Sequence, residues 1–303
     1  MTLLTIAEKH REAAVRFMKE EARPLERALY AHEFEGGSKD AVLEELAKFQ
    51  NTDGGFGHGL EPDSRCKESS ALATTVALQY LIHIEAGHAE PVVREAIRFL
   101  IETYNTAQPA GWDIVPREVE SAPRAPWWNY NEQHDGWGNP AIEIVGYFHA
   151  FSELVPAALL DELTEHAITH INVKSTKKDF HELLCCLRFA ELVPASVLSE
   201  VKSAIDEMVA GCVSVQPEQW EGYCLTPVQA ADSPSSMYYE QLKDSVRLYL
   251  PYMLTKQQED GAWWPTWTWG QYEDTWPEAK QDWKGFITFD ALRMLKAYGI
   301  VTG

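Results

Sequence analysis

The segment between residues 54 and 69 concentrates side chains that can transfer protons. Residues 55–66 of this segment read GFGHGLEPDSRC and place His58, Glu61, Asp63 and Arg65 within eight positions. Carboxyl groups and an imidazole can serve as general acid and base, and the glycines around them let a ligand approach the backbone closely. We therefore take His58, Glu61 and Asp63 as candidate catalytic residues. The alternative is an ordinary polar turn in which Asp63 caps the backbone or pairs with Arg65.

Three acidic residues elsewhere in the chain are further candidates. Glu143 in NPAIEI and Asp290 in GFITFDAL each interrupt an otherwise apolar helical face, and Asp282 lies in a tryptophan-rich segment. Burying a carboxylate without a partner is costly, so such a group usually has either a partner or a function. We take Glu143 and Asp282 as candidate catalytic residues. In the structural alternative, Glu143 binds a loop amide, and Asp290 pairs with Arg293 or caps the backbone.

Tryptophan is concentrated in two segments with loop-like sequence. Ten of the eleven tryptophans lie within residues 107–139 and 260–283, whereas core packing alone would scatter them through the helices. Aromatic faces attract cations and pack against flat apolar surfaces such as sugar rings. Trp112 and Trp263 are expected to pack within a repeated structure. The predicted substrate-binding residues are Trp127, Trp128, Trp137, Trp264, Trp267, Trp269 and Trp283.

A short pattern occurs twice. Gln50–Gly57 reads QNTDGGFG and Gln257–Trp264 reads QQEDGAWW, and weaker copies lie at Gln108–Asp113 and Gln216–Gly222. Each strong copy has a glutamine, an aspartate three positions later, a glycine at the fourth and an aromatic residue at the sixth. Such copies after helical segments indicate an internal repeat. The glycine can end a helix and the aspartate can bind backbone amides, so we expect the repeated residues to be structural.

The pattern resembles the repeat of squalene and oxidosqualene cyclases and of protein prenyltransferase β subunits. The match is specific at Gln50–Phe56 and Gln257–Trp263 and partial at Gln108–Trp112. The resemblance implies an all-α fold, an α/α toroid of about five to six helical hairpins, with inner and outer rings of helices around a central cavity. The chain lacks the Asp-x-Asp-Asp motif of the cyclases. It also lacks an Asp-x-Cys pair with a downstream histidine placed like the zinc site of the prenyltransferases.

Helical periodicity dominates the sequence, as a toroid requires, and we expect a single domain over residues 1–303. The segments after each signature are more apolar than those before it, which suits an inner ring that is buried on both sides. The predicted helices are Thr5–Lys19, Pro24–Phe34, Lys39–Phe49, Ser70–Ala86, Pro91–Tyr104, Pro140–Leu154, Pro156–Asn172, Lys178–Leu192, Pro194–Val213, Met237–Lys256 and Lys284–Tyr298.

Four long segments between these helices are predicted to be loops. They cover residues 54–69, 107–139, 216–236 and 260–283. Structureless connections longer than about 15 residues in a compact domain are usually functional or disordered, and the tryptophan and glycine content argues against disorder. We expect these loops to gather at one mouth of the toroid, because each signature closes a helix that runs in the same direction.

The composition disfavours several classes of partner. A formal net charge of −20 opposes binding to nucleic acid or to anionic membranes, both of which need cationic surface. No segment approaches the roughly 20 uninterrupted apolar residues of a membrane-spanning helix, and the N-terminal segment lacks the apolar core of a signal peptide. Five cysteines without metal-ligand spacing favour free thiols in a reducing compartment. We expect a cytoplasmic protein with no metal-ligating residues and no cofactor.

Three functional hypotheses remain open. The resemblance implies a terpenoid cyclase-like or prenyltransferase-like enzyme that holds a bulky apolar or ring-containing substrate in an aromatic-lined central cavity. A carbohydrate-active enzyme, either a hydrolase or a lyase, would use the same tryptophans together with two carboxylates across one bond. A non-catalytic protein that binds a glycan, a lipid or a peptide is the third hypothesis. Convergence of the acidic residues would favour an enzyme, whereas neutralisation by arginines would favour binding.

Overall fold

The computed structural model describes residues 3–106, 110–132, 136–174 and 179–301. Over these ranges the chain is helical and has no β-strand, only isolated bridges. The all-α prediction is therefore confirmed. The α-helices are α1 (Leu3–Glu20), α2 (Pro24–Glu35), α3 (Lys39–Ala47), α4 (Ala71–His83), α5 (Pro91–Glu102), α6 (Ala141–Ala150), α7 (Ala157–Lys174), α8 (Phe180–Leu192), α9 (Ala195–Cys212), α10 (Pro227–Ala230), α11 (Tyr239–Thr255) and α12 (Trp276–Ala297).

The last helix is the main departure from the predicted helices. The sequence predicts a loop over residues 260–283 and a helix from Lys284, whereas α12 begins at Trp276. Pro277 lies in the first turn, where its missing amide hydrogen leaves no helical hydrogen bond unmade. The high tryptophan content of the segment hides this start signal in the sequence. Trp283 is consequently a helical residue rather than a loop residue.

The other predicted helices correspond to α1–α9 and α11, with ends that differ by a few residues. The predicted helix Pro140–Leu154 is divided into α6 and the short 3-10 helix Ser152–Leu154. The four-residue helix α10 lies inside the predicted loop 216–236. Boundaries differ more than the existence of helices, because helix ends depend on local capping contacts rather than on apolar periodicity.

The helices form two compact units. Unit 1 contains Met1–Leu46 and Val213–Gly303, and unit 2 contains Ala47–Cys212. In unit 1, α12 packs against α1 and α2, and α10 packs against α11. In unit 2, α6 contacts both α4 and α8, and this layer packs on a second layer formed by α7 and α9. Unit 2 is thus built from two layers of helices.

The first copy of the glutamine signature forms a turn in unit 2, directly after α3. Gln50 Nε2 donates to Gly54 O at 2.9 Å and to Val92 O, in the first turn of α5, at 3.1 Å. Asp53 Oδ1 accepts from the backbone amide of Gly55 at 3.0 Å. The glutamine side chain therefore closes the turn and ties it to α5.

The second copy makes the same contacts in unit 1, after α11. Gln257 Nε2 donates to Gly261 O and to His10 O, each at 2.8 Å. Asp260 Oδ1 accepts from the backbone amide of Ala262 at 3.0 Å. Because His10 belongs to α1, this turn joins α11 to α1.

The aromatic residue of each signature is buried and contacts the helix that follows the turn. The backbone amide of Phe56 donates to Thr74 Oγ1 on α4 at 3.0 Å, and that of Trp263 donates to Thr288 Oγ1 on α12 at 3.1 Å. Both threonines are fully buried. Each turn therefore fixes two helices besides the one that it ends, and the repeated residues have structural roles.

Replacing Gly261 with alanine should destabilise the protein more than the same change at Gly270. Both glycines have positive φ, +89° and +66°, so alanine incurs a backbone penalty of about 1–2 kcal/mol at either position. At Gly261 the new methyl group would also lie 2.3 Å from Ala13 O, whereas nothing lies within 4 Å at Gly270. Urea unfolding followed by circular dichroism should give a lower midpoint for Gly261→Ala. Equal midpoints would contradict the steric argument.

Candidate functional site

The loop between α3 and α4 buries two of the predicted catalytic acids, Glu61 and Asp63. Backbone hydrogen bonds tie this loop to a second segment of unit 2. The Arg65 amide donates to Pro123 O at 2.9 Å, and the Ala125 amide donates to Asp63 O at 2.8 Å. Two of the four predicted loops therefore lie together in unit 2.

Burial favours the protonated form of Glu61. It is the main cause that raises the pKa of this carboxyl group well above its usual value, and the neighbouring Asp63 carboxylate raises it further. The Trp128 side chain, the Asp63 amide and Arg65 oppose the rise without reversing it. Oε2 of Glu61 has no hydrogen-bond partner within the described ranges. A carboxyl group held in this state can donate a hydrogen bond or a proton.

A small cavity lies against Glu61 and is also lined by Ser64 and Cys66. Its volume of about 10 Å³ leaves room for about one water molecule. The Cys66 thiol donates to Glu68 Oε2 at 3.1 Å, and burial is the main cause that raises the pKa of this thiol to about 11. Cys66 is therefore a neutral thiol rather than an activated nucleophile.

His58, the third candidate in this loop, is exposed and has a positive φ of 55°. Its Nε2 lies 2.9 Å from Asn51 Oδ1, in the signature turn. The contacts of His58 thus link it to the turn after α3. Asn51 Nδ2 also donates to Lys67 O at 2.9 Å. The two contacts of Asn51 therefore connect the signature turn to both ends of the loop that carries Glu61 and Asp63.

Glu143 projects from α6 and is only 2% exposed. Its Oε2 accepts from Arg188 Nη1 on α8 at 2.6 Å, and its Oε1 accepts from Gln79 Nε2 on α4 at 3.3 Å. Burial, the largest single influence, lowers the pKa of Arg188, but the Glu143 carboxylate together with Tyr147 and Cys185 raises that pKa above its usual value. The ion pair therefore connects α6 to α8, and the hydrogen bond from Gln79 adds α4.

The two acidic candidates of unit 1 also lie beside arginines. Asp290 Oδ1 accepts from Arg293 Nη2 at 2.9 Å, and Arg293 Nη1 donates to Asp232 Oδ2 at 2.9 Å. Asp282 Oδ2 lies 3.8 Å from Arg23 Nη1. Both acids therefore lie in arrangements typical of structural ion pairs.

In unit 2, the three tryptophans predicted to bind substrate have different surroundings. Trp127 is exposed, whereas Trp128 packs against the buried apolar cluster that contains Val119. Trp137 packs on the imidazole of His166, with ring centroids 5.3 Å apart. Trp127 is therefore the most accessible of the three.

Trp112 and Trp263 lie in the core, as predicted for packing residues. The Trp112 indole N–H donates to Leu100 O at 2.8 Å, and that of Trp263 donates to Met253 O at 2.7 Å. Each indole thereby satisfies a carbonyl in the last turns of the preceding long helix, α5 or α11. Carbonyls in the last turn of a helix lack helical partners, so these bonds stabilise the helix ends.

Unit 1 contains a continuous series of four aromatic rings, which we term the aromatic strip. Trp267 lies edge-to-face with Trp283 at a centroid distance of 5.0 Å. Tyr223 contacts Trp267 at 5.9 Å, and Phe286 contacts Trp283 at 5.3 Å. Tyr223 is 59% exposed, and the other three rings are half-buried. The strip therefore presents aromatic surface to solvent.

The remaining two tryptophans of the prediction lie elsewhere in unit 1. Trp264 is exposed, but the ammonium groups of Lys280 and Lys284 lie 3.7 Å and 4.4 Å from its ring centroid. Trp269 is buried and packs against Trp276 at 5.5 Å. Of the unit 1 candidates, Trp267 and Trp283 are thus in direct ring contact with each other.

Sequence reasoning missed three residues of these arrangements. Arg188 is the single cation in the apolar run LLCCLRFA, and that isolation was an available signal. Phe286 lies one helical turn after Trp283, and that spacing was also an available signal. Tyr223 carried no comparable signal, because its partner Trp267 is distant in sequence. Pairing of distant aromatic residues becomes visible only once the helices are packed.

Neither a metal cluster nor a membrane span is found among the described residues. No group of three or more histidine, cysteine, aspartate or glutamate side chains is arranged to hold a metal ion there. No helix in the same ranges is both long enough and apolar enough to cross a membrane. All five cysteines are free thiols.

Comparison with known proteins finds no matching family model, no matching curated protein and no matching solved structure. Function is therefore inferred from the residues and their contacts.

Substitution of Glu61 by glutamine should become more favourable as pH rises. Folding raises the pKa of Glu61, so the folded state binds more protons than the unfolded state above the unfolded pKa of about 4.3. The stability of the wild-type protein falls over that interval, whereas glutamine mimics the protonated carboxyl at every pH. The gain of Glu61→Gln in unfolding free energy should therefore grow from pH 4 towards pH 7, measured by urea unfolding.

Glu68→Gln is a matched control, because hydrogen bonding from Cys66 is the main cause that lowers the pKa of Glu68. A depressed pKa stabilises the fold above the unfolded pKa, so this variant should lose stability relative to wild type as pH rises. A difference between Glu61→Gln and wild type that does not change with pH would contradict the protonated state of Glu61.

Arg188→Gln should destabilise the protein by about 3 kcal/mol, because it leaves a buried Glu143 carboxylate without its partner. A variant with both Glu143→Gln and Arg188→Gln should lose less than the sum of the two single losses, since no lone charge remains. Chemical denaturation of the wild type and the three variants completes the double-mutant cycle. Strictly additive losses would show that the two side chains are not coupled.

Proposed function

We propose that the protein binds a bulky apolar or ring-containing small molecule, or an oligosaccharide, on the aromatic strip of unit 1. The contact between Trp267 and Trp283 carries this proposal. Two half-buried indoles at 5.0 Å and an interplanar angle of 81° form a fixed corner of apolar surface. Such a corner can accept the face of a flat ring against one indole and its edge against the other.

The exposure of the strip supports a ligand rather than a packing role alone. Core aromatic residues such as Trp263 are buried and satisfied by backbone contacts, whereas Tyr223 is 59% exposed. Each aromatic contact with a ligand contributes about 0.5–1.5 kcal/mol beyond the burial of area. A strip of four rings can therefore supply useful affinity for a neutral ligand without a charged anchor.

The proposal extends to the architecture. Unit 2 has two layers of helices, and each signature turn joins the end of one helix to two others. Both features suit an α/α toroid like that of the terpenoid cyclases and prenyltransferases. Free cysteines suit the reducing environment of the cytoplasm, so we include a cytoplasmic location in the proposal.

A second candidate function is acid catalysis at Glu61, in unit 2. The specific observation is a buried carboxyl group whose pKa is raised mainly by burial and whose Oε2 has no hydrogen-bond partner among the described residues. Ion pairing of Glu143 and Asp290 with arginines makes these two acids poorer candidates. If a small-molecule or oligosaccharide substrate is converted by acid catalysis at Glu61, mass spectrometry should detect product with the wild type and not with Glu61→Gln.

Binding to the strip can be tested with two chemically different probes. N-phenyl-1-naphthylamine represents a neutral polycyclic ligand, and maltotetraose and cellotetraose represent oligosaccharides. Fluorescence titration and isothermal titration calorimetry should detect binding of at least one probe class. Trp267→Ala and Trp283→Ala should each weaken that binding about tenfold, because each removes roughly 1.4 kcal/mol of contact energy.

Trp127→Ala is the matched control, since it removes an exposed tryptophan of unit 2 that lies outside the strip. Its affinity should equal that of the wild type. Circular dichroism establishes that each variant remains folded. Wild-type protein that binds neither probe class, or equal weakening by all three variants, would refute the strip as the binding site.

A further inference from the structure

We infer that Arg188 binds a small oxyanion, a carboxylate or a phosphate group, in a recess of unit 2 where Glu143 holds its guanidinium group. Arg188 donates through Nη1 to Glu143 Oε2 at 2.6 Å. Its side chain makes no other hydrogen bond or ion pair with the part of the chain that the structure describes. A guanidinium group has five N–H donors, so most of its donor capacity is open.

The position of Arg188 is deep and accessible at the same time. Burial is the strongest single influence on its pKa, which means that protein atoms surround the guanidinium group closely. Yet 35% of the side-chain surface is open to solvent. The side chain is therefore partly enclosed by protein and partly open to solvent, and we take its open part as the recess that a small ligand enters.

The anchor beneath Arg188 is rigid. Glu143 is 2% exposed, and its second oxygen accepts from Gln79 Nε2 at 3.3 Å, so helices on both sides of α6 hold the carboxylate. A guanidinium group fixed in this way loses little conformational freedom when a ligand binds. Its planar fork matches the geometry of carboxylate and phosphate oxygens, which it can bind with two parallel hydrogen bonds.

Arg293, in contrast, has a guanidinium group whose donors are already bound to two carboxylates. Its side chain is 31% exposed, close to the value for Arg188. Its Nε and Nη2 donate to Asp290 Oδ1 at 3.3 Å and 2.9 Å, and its Nη1 donates to Asp232 Oδ2 at 2.9 Å. Two carboxylates thus occupy the fork of Arg293 and would repel a further anion. Arg188 has one carboxylate and an open edge.

One further donor lies near Arg188, and the acidic groups around it are Glu143 and Glu191. The Tyr147 hydroxyl, one turn after Glu143 on α6, is buried and lacks a hydrogen-bond partner in the described ranges. Burial is the main cause that raises the pKa of Tyr147, so the hydroxyl remains protonated. The formal charge of −20 opposes any anion, so local hydrogen bonds must provide the affinity. We expect a dissociation constant of about 1 mM.

Isothermal titration of the full chain with inorganic phosphate and, separately, with acetate tests the proposal at constant ionic strength. The wild type should bind at least one of the two anions. Arg188→Lys keeps a cation beside Glu143 but removes the planar fork, and it should weaken binding about tenfold or more. Binding of phosphate alone identifies a phosphate ligand, and binding of acetate alone identifies a carboxylate ligand.

The control variant is Arg293→Lys, which alters an arginine of similar exposure and should leave affinity unchanged. A variant with both Glu143→Gln and Arg188→Gln leaves no lone buried charge, so it tests binding even if Arg188→Lys is poorly folded. This double variant should not bind either anion. The proposal is overturned if the wild type binds neither anion, or if both changes at Arg188 leave affinity within twofold of wild type.

Discussion

In each unit, two hydrogen bonds from one glutamine side chain close the turn after a helix and tie that turn to another helix. A helix that ends leaves its last carbonyl groups unpaired. The chain that follows must reverse direction while its own amide groups still find hydrogen-bond partners. Gln50 and Gln257 solve both problems, because each closes its own turn and also binds a carbonyl of another helix. The order of the helices around each turn depends on this contact.

Charge neutralisation is the second constraint on the fold. Glu143 lies on an apolar helix where a lone carboxylate would be very costly, and Arg188 from the next helix of the layer removes most of that cost. Such a pair stabilises little compared with an apolar contact, yet it fixes the register of the helices that carry it. The same pair leaves part of the guanidinium group open, so one structural solution also creates a place for chemistry.

The sequence predicted the helical class and the structural role of the signature residues, because both follow from local patterns. Helix periodicity locates α1–α9 and α11, and glycine with aspartate predicts the turns. The start of α12 was missed, since Trp276 and Pro277 lie in a segment whose composition resembles a loop. Two members of the aromatic strip, Trp267 and Trp283, were predicted from the sequence as substrate-binding residues. Tyr223 joins them only through tertiary packing. The sequence predicted the pairing of Asp290 with Arg293, three residues later, whereas the Arg188 partner of Glu143 depends on packing.

The two units differ in how their segments are distributed along the chain. Unit 2 is one continuous stretch, Ala47–Cys212, whereas unit 1 combines Met1–Leu46 with Val213–Gly303. During synthesis on the ribosome, all of unit 2 is made before the second segment of unit 1. The bond from Gln257 to His10 can form only after that segment has been made. Helix α1 therefore lacks its contacts with α11 and α12 until the last third of the chain has left the ribosome.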